Sequence, residues 1–309
     1  MWLTENKFKT VGQALKDISK IFKNKGVINP EREVEILLSY LLEMNRSEIY
    51  LNSDKLLKNK EKMKLEKMIQ ERIKKIPLQY ITEYQEFMGM DFLVEKGVFI
   101  PRPETEILVE EVIKKLKNKK CPYYLKVADL GTGSGIIAIS MAKFIADIII
   151  YASDRSKKSL KIALKNAQKH KCAEKIIFLP GNLFEAYQNK IEKYSLEAIV
   201  SNPPYINSND LKLLPEEIKD NEPKIALDGG VDGLYYYRKI IKESPHFLKR
   251  DGFIALEVGM GQAKIIKELI LKEDNYRPNV EIFKDYSGIE RVVIAYRRSA
   301  KRKTKNAKL

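Results

Sequence analysis

The sequence predicts an α/β domain of alternating strands and helices, preceded by a small helical bundle. Three observations predict it. Lys126 to Leu130 is a largely apolar strand that contains Asp129 and runs into Gly131-Thr132-Gly133-Ser134-Gly135. The segment Ile136 to Ile145 follows at once and is apolar nearly all round, as expected of a helix packed on a sheet. Two further strands end in polar residues: Ile148 to Ser153 leads into Asp154, and Leu196 to Val200 leads into Asn202-Pro203-Pro204-Tyr205.

In chain order, Val11 to Phe22 has apolar residues at helical spacing, and Asn29 and Pro30 read as N-cap and first helical residue of Glu31 to Met44. Leu57 to Ile76 mixes Lys and Glu with an apolar stripe at Met63, Leu65, Met68, Ile69 and Ile73, which reads as core, and stops before Pro77. Tyr80 to Ile100 reads as a hairpin, with Phe87, Phe92 and Val94 on strands and a glycine at Gly89. Glu104 to Leu116 is expected to be a helix whose acidic first turn suits the helix dipole. After the first two strands of the α/β series come a helix at Lys157 to His170 and a third strand at Lys175 to Leu179, then the fourth strand already named. A helix at Gly233 to Leu248, a fifth strand at Phe253 to Val258 and a helix at Gln262 to Lys272 follow. Val280 to Lys284 and Arg291 to Tyr296, around Gly288, form a closing hairpin.

The polar strand ends carry the chemistry. Two consecutive prolines fix φ and remove two N–H donors, so Asn202 to Tyr205 presents carbonyl oxygens without competing donors. Such an array suits a planar NH2 group: the Asn202 side-chain oxygen and the Pro203 carbonyl take one N–H each while the Tyr205 ring covers the flat face. The plain alternative is a loop that ends a strand. Glycines at a strand-to-helix turn let a ligand approach the backbone. No Lys follows Gly135, so the loop is not a Walker A motif, and the third glycine of a dinucleotide fingerprint would fall at Ile136. Asp154 stands about twenty residues past the glycines, where an acid accepts from ribose hydroxyls; otherwise Asp154 or Ser156 only caps the next helix.

The order and spacing of these elements resemble the class I S-adenosylmethionine-dependent methyltransferases, and Asn-Pro-Pro-Tyr resembles the motif of those that methylate amine or amide nitrogens. Phe99-Ile-Pro-Arg-Pro-Glu-Thr-Glu106, preceded by Pro77-Leu-Gln-Tyr-Ile81, resembles the peptide chain release factor N5-glutamine methyltransferase family (PrmC/HemK) over most of the chain. The resemblance implies a Rossmann-like, seven-stranded sheet with a closing antiparallel hairpin plus the N-terminal helical bundle. It implies a helical substrate-recognition domain at 1–76, a hairpin linker at 77–103, a methyltransferase domain at 104–298 and a basic disordered tail at 299–309. It also implies S-adenosyl-L-methionine as methyl donor, S-adenosyl-L-homocysteine as product, and the glutamine of the Gly-Gly-Gln motif of bacterial class 1 release factors as acceptor.

Residue by residue, the resemblance carries cofactor binding to Gly131, Thr132, Gly133, Ser134, Gly135, Asp154, Asn182, Leu183 and Asn202. It carries substrate binding to Asn202, Pro203, Pro204 and Tyr205, with catalysis at Asn202, Pro203 and Tyr205. Asn182 and Leu183 stand where the family contacts adenine; many relatives have a Trp or other large apolar residue at the second position, whereas Leu183 offers an apolar face without stacking. Phe184 either compensates or belongs to the core. Arg102 and Glu106 either stiffen a linker and cap a helix or shape the mouth of the cofactor pocket, and Glu257 at the end of the fifth strand has no assigned partner.

Composition is consistent with this reading. A chain of 309 residues, 44% apolar, has room for two domains. The most apolar stretch, Ile136 to Ala152, is broken by Lys143 and Asp147, and Lys7, Lys9 and Lys16 interrupt any leader-like core, so a cytoplasmic protein without membrane spans is expected. Cys121 and Cys172 make no disulfide framework, and with His170 and His246 as its histidines the chain is expected to use no metal. The formal charge of +15 is either a diffuse, lysine-rich solvated surface or an aid to meeting release factors or the ribosome and its RNA. One rival reading is an N6-adenine methyltransferase acting on DNA or RNA, since adenine N6 offers the same planar NH2; such an enzyme must flip its base. The other is a non-catalytic S-adenosylmethionine-binding scaffold.

Overall fold

A computed structural model describes residues 8–119 and 123–298. The basic tail at 299–309, Cys121 and Lys7 lie outside the described residues. The chain divides into two compact units, one comprising residues 8–84 with Pro215–Asn221, the other Gln85–Leu214 with the residues from Glu222 onward.

The first unit is helical. Helix α1 spans Val11–Asn24 and is capped by Thr10, whose side chain accepts from the Gln13 N–H. Helix α2 spans Pro30–Leu42 with Asn29 as N-cap, although the Asn29 side chain makes no capping bond because its backbone is left-handed. Three shorter or lysine-rich helices follow: α3 (Arg46–Leu51), α4 (Asn59–Ile73) and α5 (Leu78–Thr82). Val11, Ile18, Phe22, Leu37, Leu65 and Ile69 form one apolar cluster. Leu65, Met68 and Ile69 of the expected stripe are buried, but Met63 is 72% exposed, so the stripe is narrower than the sequence suggested. Arg72, 6% exposed, donates to both carboxylate oxygens of Glu33 and pairs with Glu217 of the inserted segment at 3.0 Å.

The expected hairpin is shorter than Tyr80 to Ile100. Pro77 starts α5, and the hairpin consists of β1 (Tyr84–Phe87) and β2 (Met90–Leu93). Met88 and Gly89 both have positive φ, the geometry of a two-residue turn that matches strand twist. Phe87 and Phe92 join the core of the second unit.

That core is built on a seven-stranded sheet. Its strands are β3 (Leu125–Leu130), β4 (Ile148–Asp154), β5 (Ile176–Pro180), β6 (Leu196–Ser201), β7 (Leu248–Glu257), β8 (Tyr276–Lys284) and β9 (Glu290–Arg297). They lie in the order β5-β4-β3-β6-β7-β9-β8, with β9 antiparallel to both neighbours and the other pairings parallel. The fold is thus that of a class I methyltransferase, with its closing antiparallel hairpin. Alternate residues of each strand enter opposite clusters: Val127, Ile150, Ala198 and Ala255 on one face, Ala128, Ile199 and Ile254 on the other. Helices α6 (Thr105–Lys117), α7 (Ile136–Phe144) and α8 (Lys157–Lys169) contribute to the first cluster. Between β6 and β7 the chain forms α9 (Glu216–Lys219) and α10 (Tyr235–Glu243); α10 and α11 (Ala263–Leu271) cover the second face. Helix α10 is shorter than Gly233 to Leu248 because Pro245, lacking an N–H, diverts the chain into a 3₁₀ turn at Ser244–His246.

Candidate active site

Strand order reverses between β3 and β6, which are direct neighbours although α7, β4, α8 and β5 separate them in sequence. Ligands of open α/β sheets bind outside the carboxyl ends of the strands at such a switch point. The glycine loop leaves β3 there, Asp154 ends β4, Asn182 follows β5, and Asn202 to Tyr205 leave β6.

The glycine loop is held from below and open above. Gly131 and Thr132 both donate their N–H to the Ser153 carbonyl at 2.9 Å, which fastens the loop to the end of β4. Gly131, Gly133 and Gly135 all have positive φ. A Cβ on Gly131 or Gly133 would meet nothing within 4 Å, so the space over the loop is free for a ligand. Gly135 differs: a Cβ there would lie 2.9 Å from Ile139 Cδ1 and 3.0 Å from Ala163 Cβ, so this glycine permits the helices to pack. Thr132 and Ser134 are buried; Thr132 Oγ1 donates to Asp129 Oδ2 at 2.6 Å, and the Ser134 carbonyl accepts from Asn166. Their contribution to a ligand would therefore come from the main chain. Asp129 itself is fully buried, and burial, with Asp154 nearby, pushes its carboxyl up to about 7 against the bond from Thr132.

Asp154 holds the loop as well as facing the switch point. Its Oδ2 accepts from the Gly133 N–H at 2.9 Å and its Oδ1 from the Ser156 N–H at 2.7 Å. The helix cap is Ser156, whose side chain accepts from the Ser159 N–H, so Asp154 is not itself the cap. Each carboxylate oxygen has a second lone pair for a ribose hydroxyl. The glycine cradle and this acid together fit an adenosine-bearing methyl donor.

Beyond β5, Leu183 adopts a left-handed backbone with φ of 49° and remains partly buried. Phe184 does not compensate for it. That ring is 3% exposed and stacks on Phe247 at 5.0 Å, within the core.

At the end of β6, the Asn202 Nδ2 donates to Thr105 Oγ1 at 3.2 Å. Pro203 is buried, while Asn202, Pro204 and Tyr205 are half-buried. Two features that sequence reasoning missed fix this segment. Gln262 donates from Nε2 to the Tyr205 carbonyl at 3.0 Å and accepts from the Gly259 N–H at 3.0 Å, tying the loop after β7 to the Asn-Pro-Pro-Tyr turn. Gly229, Gly233 and Gly259 then allow close approach, since a Cβ on each would lie 2.8 Å from the Pro204 carbonyl, 2.5 Å from the Tyr205 carbonyl and 3.0 Å from the Tyr205 ring respectively. Burial, reinforced by the Glu257 carboxyl, pushes the Tyr205 phenol up to about 12, so it stays neutral. Thr105 was a third omission; it sits between the two acidic residues of the Glu-Thr-Glu stretch and gave no signal of its own.

Arg102 and Glu106 have structural partners. Arg102 forms an ion pair with the buried Glu222 and lies 5.0 Å over the Phe99 ring, and Glu106 accepts from the Met88 N–H at 2.7 Å in the hairpin turn. Among the described residues no group of three or more His, Cys, Asp or Glu side chains could hold a metal ion, and no helix is long and apolar enough to cross a membrane.

Known proteins resemble this chain in sequence. Residues 13–82 match the PrmC N-terminal domain family, and residues 90–230 match the Methyltransferase small domain family. The release factor glutamine methyltransferase of Clostridium acetobutylicum is 39% identical over 85% of this chain and 90% of its own length. That of Moorella thermoacetica is 36% identical over 94% of this chain and 99% of its own. A solved protein-(glutamine-N5) methyltransferase, release factor-specific, from Alicyclobacillus acidocaldarius is 31% identical, with 65% of this chain and 95% of that one covered at a TM-score of 0.41. With relatives at 36% and 39% identity aligned over most of its length, the chain belongs to the release factor glutamine methyltransferase family.

Proposed function

We infer that this protein transfers a methyl group from S-adenosyl-L-methionine to the side-chain amide nitrogen of the glutamine in the Gly-Gly-Gln motif of bacterial peptide chain release factors. The observation that carries this reading is the setting of the Asn202 amide. Its Nδ2 is committed to Thr105 Oγ1, which leaves Oδ1 as an acceptor for a planar NH2 at the end of β6.

S-adenosylmethionine, when bound, supplies a methyl group on a positively charged sulfonium, and S-adenosyl-L-homocysteine remains. The chain's own residues do the rest. Main-chain groups of Gly131 to Gly135 cradle the donor, the Asp154 carboxylate accepts from its ribose, and Asn182 and Leu183 contact its adenine. Asn202 Oδ1 and the Pro203 carbonyl accept the two N–H bonds of the glutamine amide, with Pro204 stiffening the turn and the Tyr205 ring over the amide face. An amide nitrogen is a poor nucleophile because its lone pair is delocalised, so positioning has to supply most of the catalysis. Holding two reactants in line contributes about 7 to 11 kcal/mol, more than a single general base provides. As the N–C bond forms, nitrogen gains positive charge, which the two acceptors stabilise, and one N–H proton then leaves to water.

Adenine N6 presents the same planar NH2 to the same residues, so the test runs both acceptors. Purified protein is incubated with methyl-labelled S-adenosylmethionine and either a bacterial release factor or adenine-containing DNA. Label is expected on the release factor and is lost when the Gly-Gly-Gln glutamine is replaced. Label on the DNA alone would overturn the reading.

A further inference from the structure

Asn166 is fully buried on α8, and its side chain joins two segments that lie far from it in sequence. Its Oδ1 accepts from the Leu93 N–H at 2.7 Å and its Nδ2 donates to the Leu93 carbonyl at 3.0 Å, so the amide pairs with the end of β2 as a neighbouring strand would. The same Nδ2 donates to the Ser134 carbonyl of the glycine loop at 2.9 Å. Both N–H groups and the oxygen are thus engaged. Their orientation is forced, since a flipped amide would set its NH2 against the Leu93 N–H and its oxygen against two carbonyls.

The glycine loop needs such an anchor. Gly133 and Gly135, on either side of Ser134, both have positive φ, and glycine gives the backbone little stiffness of its own. Gly131 and Thr132 are fastened to Ser153, Gly133 to Asp154, and the Gly135 N–H donates to the Thr132 carbonyl at 2.8 Å. These bonds hold the loop from β4 and from within; Asn166 holds it from α8. A buried carbonyl that loses its partner is costly, so without Asn166 the Ser134 peptide gains by turning toward other donors.

The hairpin at the other end of this link is itself well supported. Lys169 and His170 of the α8 end both donate to the Asp91 carbonyl at 2.9 Å, the Phe92 and His170 rings lie 5.0 Å apart, and Glu106 of α6 accepts from the Met88 N–H at the turn. Asn166 passes that support on to the loop. We propose that Asn166 is a positioning residue for the methyl donor, which locks the Ser134 peptide of the glycine loop to the β1–β2 hairpin. Order in the hairpin and occupancy of the donor site then stabilise each other, because such coupling is reciprocal. The inference rests on the reading of the glycine loop as the donor's cradle.

The test uses the full chain and compares wild type with Asn166→Ala and Asn166→Leu. Calorimetry reads S-adenosylmethionine binding, labelling of purified release factor reads turnover, and hydrogen exchange reads Met90 to Leu93 with and without S-adenosylmethionine. Without the Ser134 bond the competent loop is only fractionally populated, so each variant is expected to raise Kd for S-adenosylmethionine about 10-fold. At saturating donor kcat stays within about threefold, because Asn202 to Tyr205 keeps its bonds to Thr105 and Gln262. In the wild type, saturating S-adenosylmethionine slows exchange at Met90 to Leu93 as well as in the loops around the donor. In the variants, exchange at Met90 to Leu93 no longer responds. A residue that merely filled the core would lower the stability of the fold and leave that response intact.

Unchanged Kd in a folded variant, a loss in kcat with Kd kept, or a hairpin that still responds to donor in Asn166→Leu would each overturn the proposal. If Asn166→Ala does not fold by circular dichroism, Asn166→Leu, which refills the space, decides. If neither folds, the wild type decides: slowed exchange at Met90 to Leu93 supports the link and unchanged exchange there overturns it. Wild type that binds the donor and labels release factor, beside variants of unchanged Kd, removes only this inference. Label on DNA alone overturns the acceptor and leaves this inference standing, because the donor site is common to both. Wild type that binds no S-adenosylmethionine removes both.

Discussion

At Asp154, one carboxylate has two tasks. It accepts the Gly133 and Ser156 N–H groups, shaping the glycine loop, and under the proposed function its remaining lone pairs take the ribose hydroxyls. Burial pushes its carboxyl up, and the two N–H bonds work against that shift. Asp154→Asn disturbs the loop less than alanine, since the amide oxygen still accepts one of the two N–H groups while the other end becomes a donor. Losing one charge-assisted bond of roughly 1.5 to 3 kcal/mol should weaken S-adenosylmethionine binding by about 10- to 150-fold. Calorimetric titration measures this, and an unchanged Kd in a folded variant would refute the ribose role. The sequence placed this acid at a strand tip but could not reveal its hold on Gly133, because that bond depends on how β3 and β4 align.

At the level of elements, the carboxyl end of β3 carries a cost. Asp129 is fully buried, with Oδ2 satisfied by Thr132 and its carboxyl held up to about 7, chiefly by burial. The sign follows from linkage: a carboxyl raised in the folded state stabilises the fold where it is protonated, at low pH. That contribution is lost as pH rises from the ordinary carboxylate range through about 7, because the unfolded chain gives up the proton first. Asp129→Asn keeps an acceptor for Thr132 and removes the titration. The stability of Asp129→Asn relative to wild type, measured by urea unfolding without cofactor, should therefore rise as pH goes from about 4 to about 8. A difference independent of pH would mean that Asp129 is not raised. Nothing in the sequence marked this residue, which looked like one polar position in an apolar strand. Burial on both faces of a central strand is a property of the assembled sheet.

For the whole molecule, the sheet order brings segments far apart in sequence to one edge, and that was legible only in part. The apolar runs and their polar ends gave the strands and most helices, because a strand buried on both faces has to read as continuous apolar sequence. Short helices such as α3 and α5, and the connection from Ile206 to Leu234, were not legible, since a few turns with mixed polarity carry no period. The contacts of Thr105 and Gln262 with the Asn-Pro-Pro-Tyr turn were invisible for a different reason: they join residues 97 and 57 positions apart. Hydrogen exchange reads that edge directly. S-adenosylmethionine at about a hundred times its Kd stabilises the folded state by about 2.7 kcal/mol if it binds no unfolded chain. Its protection should concentrate in the loops after β3, β4 and β5, at Gly131 to Gly135, Asp154 to Ser156 and Asn182 to Phe184, because main-chain N–H groups there approach the donor. Amides of α1, α2 and α4 belong to a separate compact unit and should exchange as before. Protection confined to those helices would place the donor away from the switch point and refute the site.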